Sequence, residues 1–292
     1  MIVTVVVIGL GVVAGAATAA GAWRWSRSDP TDPHLEGRTV RRFLRDHPLV
    51  QRLARRHHPT PSAATAEALG LAAVLVAIGT AAAGAILLMI KTRSGFARAD
   101  TPFATWAAER ATEASTEAMR AVSELGGTRY VLATALAVTG LAVLRDRRWA
   151  IPAFVAITIG GQFILSNGIK WIVDRARPTI SPLTGFAGTS FPSGHAVAAA
   201  ATWACVAFLL GRRRHRHARA VLLGAAVAIA VAVAASRVAL GVHWTTDVIA
   251  GLLLGWSWFA LCAIAFGGRV LHFGEPVEVV EAEAAKPISA RR

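Results

Sequence analysis

The stretch FPSGHAVAAAATWACVAFLLG, residues 191–211, joins a turn-forming segment to a long apolar run. His195 is followed at once by sixteen uncharged residues, from Ala196 to Gly211. Such a run predicts a helix that is buried or spans a membrane, and the Pro, Ser and Gly before it predict a tight turn at its start. A single histidine in this position fits a structural role as well as a chemical one, so the rest of the chain must decide.

Apolar stretches of this kind recur along the chain. The 292 residues are 54% hydrophobic and only 16% charged, which is too apolar for one soluble core. A spanning helix needs about 20 apolar residues, and about 17 is the lower limit. We therefore predict an all-α integral membrane protein, not a large soluble protein with buried core helices. The uncharged stretches are 2–23, 68–90, 130–144, 151–169, 196–211, 220–236 and 248–268.

The positive charge lies in alternate connections between these stretches. Nine arginines lie between Arg24 and Arg56, three in RDRRW (145–149) and five in RRRHRHAR (212–219). This is the positive-inside pattern of a multi-pass protein of the plasma membrane, with the basic connections in the cytoplasm and the N-terminus outside. The net charge of +14 also fits nucleic-acid binding. However, the 24–56 segment lacks interleaved aromatic residues and a binding motif, so we predict no nucleic-acid partner.

The same pattern divides the chain into segments. We predict an N-terminal transmembrane helix at 1–23, a basic cytoplasmic linker at 24–65 that contacts anionic membrane lipids, a six-span core at 66–268 and a cytoplasmic tail at 269–292. A cleaved signal peptide is the alternative for the first span. It lacks a positive n-region, and its removal would leave nine arginines outside the membrane.

The predicted outer loop after the second span has the pattern of an amphipathic helix. Thr101 is a candidate N-cap, Pro102 suits the first helical position and Gly126 is a candidate stop. We predict one helix on the outer membrane surface. Its apolar side would consist of Phe103, Trp106, Met119 and Val122.

Chemistry-bearing residues gather in three strings at span boundaries. The strings are NGIKWIVDRARP (167–178), FPSGHAV (191–197) and ASRVALGVHWTTD (235–247). Counting spans from the outside places the end of the fourth, the start of the fifth, the end of the sixth and the start of the seventh on one membrane face. The topology therefore predicts that the three strings meet there.

The first and third strings contribute cations, and the second contributes a helix start. Lys170 and Arg177 are seven residues apart, near two helical turns, although Pro178 biases Arg177 towards extended backbone. The alternative is that Lys170 and Arg177 only extend from a helix end to the membrane–water interface, and the same alternative applies to Arg237. In the second string Gly194 permits a tight turn and Ser193 is a candidate N-cap, and free N–H groups at a helix N-terminus bind anions.

His243 and Asp247 are spaced to meet on one helical face, either as a helix-capping pair or as a catalytic pair. A carboxylate that binds one ring nitrogen leaves the other nitrogen free as a nucleophile or base. With the three cations, the residues fit a phosphoryl group that one histidine attacks while His195 protonates the departing oxygen. Carboxylates are few and no metal-ligand spacing occurs, so we predict no metal and no cofactor.

The three strings together resemble the three-part signature of the type 2 phosphatidic acid phosphatase superfamily. The resemblance covers about 66–268 and implies a six-helix core that dephosphorylates a lipid phosphate, without a metal, through a phosphohistidine. It implies His243 as the nucleophile, Asp247 as its partner and His195 as the general acid. It gives no role to Arg175. The phosphate-binding residues that it implies are Lys170, Arg177, Ser193, Gly194 and Arg237.

The resemblance leaves the substrate open between phosphatidic acid, phosphatidylglycerol phosphate and a polyprenyl diphosphate. An outward-facing site fits each of these lipids. Two other classes remain as alternatives. Vanadate-dependent haloperoxidases share the signature but are soluble, and a lipid-phosphate binding or transport protein would need the cations without both histidines.

Overall fold

The computed structural model describes residues 1–27, 61–147, 149–212 and 214–270. Most of the predicted linker at 24–65 and of the tail at 269–292 falls outside this part of the chain. Nine α-helices and one short 3-10 helix, Gly95–Ala99, make up the secondary structure of the described residues. The α-helices are α1 Ile2–Arg27, α2 Pro61–Thr92, α3 Asp100–Glu109, α4 Glu113–Glu124, α5 Thr128–Asp146, α6 Ala150–Val173, α7 Gly194–Gly211, α8 Arg216–Ala239 and α9 Thr245–Val270.

Helices cover all seven apolar stretches of the sequence. Six of them are long and apolar enough to cross a membrane within the described residues, namely α1 and α5 to α9. Helix α2 is 32 residues long, and its described apolar part is Ala77–Thr92. The prediction of an all-α integral membrane protein is confirmed.

Helix α7 is the central element of the core and contacts α5, α6, α8 and α9. Its residues from Ala196 to Ala201 are all buried, which explains why this stretch contains little besides alanine. Helix α9 approaches it closely at Gly255, where an added Cβ atom would lie 2.5 Å from the carbonyl oxygen of Val197. Small residues on both helices therefore bring the start of α7 next to the start of α9.

The additional helix α1 packs along α8 through small residues. A Cβ atom on Gly15 would lie 2.5 Å from the carbonyl oxygen of Gly224, so only glycine permits this contact. Near its N-terminus, α1 buries Val3 and Val7 in a cluster with Leu240 and other residues that precede His243. The first helix therefore supports the part of the core that carries the third string.

The outer loop forms two helices, α3 and α4, so the prediction of one helix over 101–126 is wrong. The break occurs at Thr112, whose side chain accepts a hydrogen bond from the Ser115 amide and starts α4 in a capping box. Helix α3 has Ala99, not Thr101, at its N-cap. Met119 is buried against protein in the cluster that holds Leu240, with Trp106 and Val122 packed on it, while Phe103 is exposed.

Candidate active site

The three strings meet at one end of the bundle, around a cavity of about 620 Å³. The ends of α6 and α8 and the starts of α7 and α9 surround it, as the topology predicts. The sequence-predicted residues that line it are Lys170, Arg177, Gly194, His195, Arg237 and His243. Asp247 and Ser193 lie behind this surface and are completely buried.

Lys170 and Arg177 reach the cavity from different backbone environments. Helix α6 ends at Val173, and the next residue, Asp174, has a positive φ of 44°. Arg177 is therefore in the following loop and not two turns along a helix from Lys170. The two cations still meet at the Thr189 carbonyl oxygen, which accepts from Lys170 Nζ at 2.6 Å and from an Arg177 Nη at 3.1 Å.

Arg177 contacts the predicted nucleophile directly. One Nη lies 3.1 Å from Nε2 of His243 and 2.8 Å from the carbonyl oxygen of Val242. A guanidinium only donates, so Nε2 is the unprotonated ring nitrogen and Nδ1 carries the hydrogen. Burial lowers the pKa of Arg177, and the carboxylate of Asp247 opposes that shift.

His243 precedes α9 instead of lying on it, because that helix begins at Thr245. The pair is nevertheless formed, with 3.6 Å between His243 Nδ1 and Asp247 Oδ2. The same Oδ2 accepts from the backbone amide of Trp244 at 3.0 Å. Burial lowers the pKa of His243 to about 4, although Asp247 acts in the opposite direction. The ring is therefore neutral at pH 7, with Nε2 facing the cavity.

The start of α7 presents a turn and an unpaired hydroxyl. Ser193 occupies the N-cap position, as predicted, but its side chain makes no capping hydrogen bond. Its Oγ is buried and has no partner among the described residues. Buried hydroxyl groups are normally hydrogen-bonded, and this one lies unpaired behind the cavity surface. Gly194 and His195 follow it on the cavity wall.

Arg237 is only 6% exposed, yet it is incompletely paired. One Nη donates to Ser123 Oγ at 2.8 Å, and Nε has no partner within the described part of the chain. A buried cation with an unpaired N–H is costly unless a ligand completes its hydrogen bonds. Arg237 therefore has the properties of a residue that binds an anion.

Arg175 has a definite position that the sequence did not reveal. Its two Nη atoms bind Asp247 Oδ1 and, at 2.8 Å, Asp100 Oδ2. Asp100 also accepts from the backbone amide and hydroxyl of Thr246, at 2.9 and 2.6 Å. Ser190 Oγ binds the other oxygen of Asp247.

Sequence reasoning missed Asp100, Ser190 and Thr246 as site residues. Asp100 is 146 residues from Thr246, and no local spacing connects them. The one available signal was that Asp100 is a carboxylate at the outer end of a predicted span, beside the start of the outer loop.

The cavity continues from the cations into an apolar groove. Its walls are formed by Val131 and Leu132 on α5 and by Ile159 and Phe163 on α6. Leu132 and Phe163 are half exposed on the outside of the bundle. An acyl or prenyl chain can therefore lie between α5 and α6 while its phosphate reaches the cations.

The described residues include no group of three or more His, Cys, Asp or Glu side chains that could hold a metal ion. The cavity instead combines three cations with two histidines and a helix start. This arrangement can bind a phosphoryl group and attack it. The predicted absence of a metal and of a cofactor stays a prediction.

Comparisons with known proteins agree with this chemistry. The family model described as the PAP2 superfamily matches residues 149–270. Phosphatidylglycerophosphatase B of Bacillus subtilis (strain 168) is 32% identical over 147 residues, which are 50% of this chain and 72% of that protein. Lipid A 1-phosphatase of Rhizobium johnstonii is 35% identical over 134 residues, or 42% of this chain and 51% of its own length.

A solved structure extends the similarity to a larger part of the chain. The crystal structure of the first transmembrane PAP2 type phosphatidylglycerolphosphate phosphatase, from Bacillus subtilis, matches with a TM-score of 0.60 and 27% sequence identity. The match covers 69% of this chain and 98% of that chain. The chain thus contains nearly all of that fold and has further residues of its own.

Proposed function

The chain belongs to the PAP2 superfamily, and from this premise we propose that it is a metal-independent lipid phosphatase that works through a phosphohistidine. The observation that carries the proposal is the convergence of His243, His195, Lys170, Arg177 and Arg237 on one cavity with an apolar groove. The neutral state of His243 and the unpaired N–H of Arg237 support it.

In the first step Nε2 of His243 attacks the phosphorus atom. The bond between phosphorus and the lipid oxygen breaks, and that oxygen takes a proton from His195. The hydrogen on Nδ1 of His243 stays directed at Asp247, which stabilises the positive charge that forms on the ring. For a diphosphate substrate, the leaving group is the lipid monophosphate.

In the second step a water molecule attacks the phosphorus of the phosphohistidine. His195, now neutral, accepts the proton of this water, and the bond from phosphorus to Nε2 breaks to release inorganic phosphate. Lys170, Arg177, Arg237 and the start of α7 at Gly194 stabilise the charge on the phosphoryl oxygens in both steps. They supply the positive charge that a metal supplies in other phosphatases.

The protein is a multi-pass membrane protein, and we propose that its site opens on the outer side of the plasma membrane. Arg145 and Arg212 lie at the ends of α5 and α7, whereas the first residues of these helices, Thr128 and Gly194, line the cavity, which supports this orientation. A cysteine placed in the 110–112 turn should react with an impermeant thiol reagent in intact cells, and one at 212–214 should not. The reverse labelling would place the site in the cytoplasm.

The function is tested by phosphate release from lipid phosphates in detergent, with EDTA present. We expect activity that EDTA leaves unchanged and that orthovanadate inhibits. The variant His243→Ala should lose turnover and trapped phosphoenzyme together. The variant His195→Ala should lose about 10²–10⁴-fold on lipid substrates, and less on an aryl phosphate with a good leaving group.

Three results would contradict the proposal. Activity that disappears with EDTA and returns with magnesium would show that a metal carries the phosphate. Equal losses for the two histidine variants on the aryl phosphate would refute their separate roles. Binding of lipid phosphate without any turnover in the wild type would favour a binding or transport protein.

A further inference from the structure

One face of α6 carries polar side chains down into the apolar groove. Lys170, Ser166 and Gln162 are spaced by four residues and all three line the cavity, so we refer to them as the polar ladder. At about 1.5 Å rise per residue, Ser166 lies about 6 Å and Gln162 about 12 Å below Lys170 along the helix. The ladder therefore begins at the phosphate-binding end and continues towards the lipid chains.

Ser166 and Gln162 are largely buried residues on the cavity wall whose side chains have no protein partner. Each is only 3% exposed. Neither side chain has a hydrogen bond within the part of the chain that the structure describes, and their polar ends are not among the fully enclosed unpaired atoms there, so they keep surface open to the cavity. By contrast, Thr158 on the same helix binds the carbonyl oxygen of Phe154 at 2.7 Å. Two consecutive unpaired polar side chains on one cavity wall therefore offer hydrogen bonds to polar groups of a ligand that fills the cavity.

Their positions show which part of the ligand they would contact. A Cβ atom on Gly194 would lie 3.6 Å from Ser166 Oγ and 3.9 Å from Lys170 Cε, so Ser166 adjoins the phosphate-binding helix start. Gln162 is one turn deeper, beside Ala198 and Ile159 on the apolar wall. A ligand that pairs with both side chains therefore carries hydrogen-bonding groups a few covalent bonds beyond its phosphoryl group.

We propose that Ser166 and Gln162 form a subsite for the acyl-linkage carbonyl groups of the substrate, which makes it an acylated lipid phosphate. The hydroxyl of Ser166 and the amide N–H of Gln162 can each donate to an ester or amide carbonyl. The second phosphate of a polyprenyl diphosphate can reach Ser166, but only hydrocarbon follows it, so such a substrate would leave Gln162 unpaired. This proposal rests on the proposed function, because it identifies the substrate of the same site.

The test compares kcat/KM for three substrates with the full-length protein in detergent. They are a diacyl phosphatidic acid, its dialkyl ether analogue without carbonyl groups, and farnesyl diphosphate. We expect the wild type to prefer the ester to the ether by roughly 5- to 100-fold, since an unmade buried hydrogen bond has an effect of that size. Gln162→Met, which keeps the shape but removes the amide, should reduce this ratio by about tenfold.

The control is Thr158→Val on the same helix, which should leave the ester-to-ether ratio unchanged because its side chain is not on the cavity wall. Equal rates for ester and ether in the wild type would overturn the subsite, and this measurement needs no variant to fold. Equal losses on both substrates in Gln162→Met would also overturn it. If the wild type hydrolyses none of the three substrates, the proposed function itself fails.

Discussion

The carboxylate of Asp100 offers a test of how the catalytic histidine is held. Asp100 does not line the cavity, but it accepts one hydrogen bond from Arg175 and two from Thr246. Arg175 in turn binds Asp247, the partner of His243. Asp100→Asn removes the negative charge and replaces one acceptor oxygen with a donor that faces Arg175. The expected result is a misplaced Arg175 and a less well oriented Asp247.

The expected loss in kcat follows from the hydrogen bond between Arg175 and Asp100 that the substitution removes. A hydrogen bond between charged groups contributes about 1.5–3 kcal/mol. If the full amount is lost in the transition state, kcat falls by roughly 10- to 150-fold. KM should change little, because Asp100 acts through Arg175 and touches no part of the cavity. The thermal midpoint should also fall by several degrees, since breaking one side of a buried ion pair is destabilising.

The assay is steady-state hydrolysis of a lipid phosphate, with the rate of phosphoenzyme formation measured in a single turnover. Asp174→Asn is a matched control, because Asp174 is exposed on the same loop as Arg175 and carries the same charge. Asn also tolerates its left-handed backbone. If Asp174→Asn lowers kcat as much as Asp100→Asn, the effect is long-range electrostatics and not positioning. A rise in KM alone would refute the reasoning as well.

Three further results are expected. Arg237→Lys should lose about 10²–10³-fold in kcat despite its unchanged charge, because Lys cannot make the planar two-pronged contact; a loss below fivefold in the lipid assay would contradict this. The pKa of His243 is about 4 and is ordinarily about 6.5, so folding favours the neutral ring. Stability should be fully present above pH 6.5 and fall by a few degrees in thermal midpoint towards pH 4, and His243→Asn should show a smaller fall. Gly15→Ala should lower the thermal midpoint and the activity, because its Cβ meets an α8 carbonyl at 2.5 Å, whereas Gly9→Ala meets nothing within 4 Å and should do neither.

The sequence was sufficient to predict the apolar helices and the end of the bundle at which the three strings meet. Both predictions depend on properties that can be read locally along the chain. The length of each apolar stretch decides which helices are long enough to cross a membrane. The positions of the arginine blocks decide which helix ends lie on the same side of it. His195, His243 and Arg237 could be brought together by topology alone, since each sits at a span boundary. In the structure all three line one cavity.

The details that could not be predicted depend on tertiary contacts. Asp100 looked like an ordinary loop residue, because its partners Arg175 and Thr246 are 75 and 146 residues away. The break at Thr112 was hidden because an Ala-rich sequence continues on both sides of it. His243 was expected on a helical face, but the Asp247 side chain accepts from the Trp244 amide and starts the helix after the histidine.

The contacts divide the four cations near the site into one that pairs with carboxylates and three that line the cavity. Arg175 is the first kind, and the cavity cations are Lys170, Arg177 and Arg237. Arg175 is fully engaged with Asp247 and Asp100, so it neutralises the only carboxylate that touches His243 among the described residues. Without it, Asp247 would attract Arg177 and Lys170 and reduce the positive charge available to the substrate. The cavity therefore keeps its positive charge because one arginine behind the site satisfies the catalytic carboxylate. This arrangement explains how a buried Asp and a phosphate site can adjoin the same histidine.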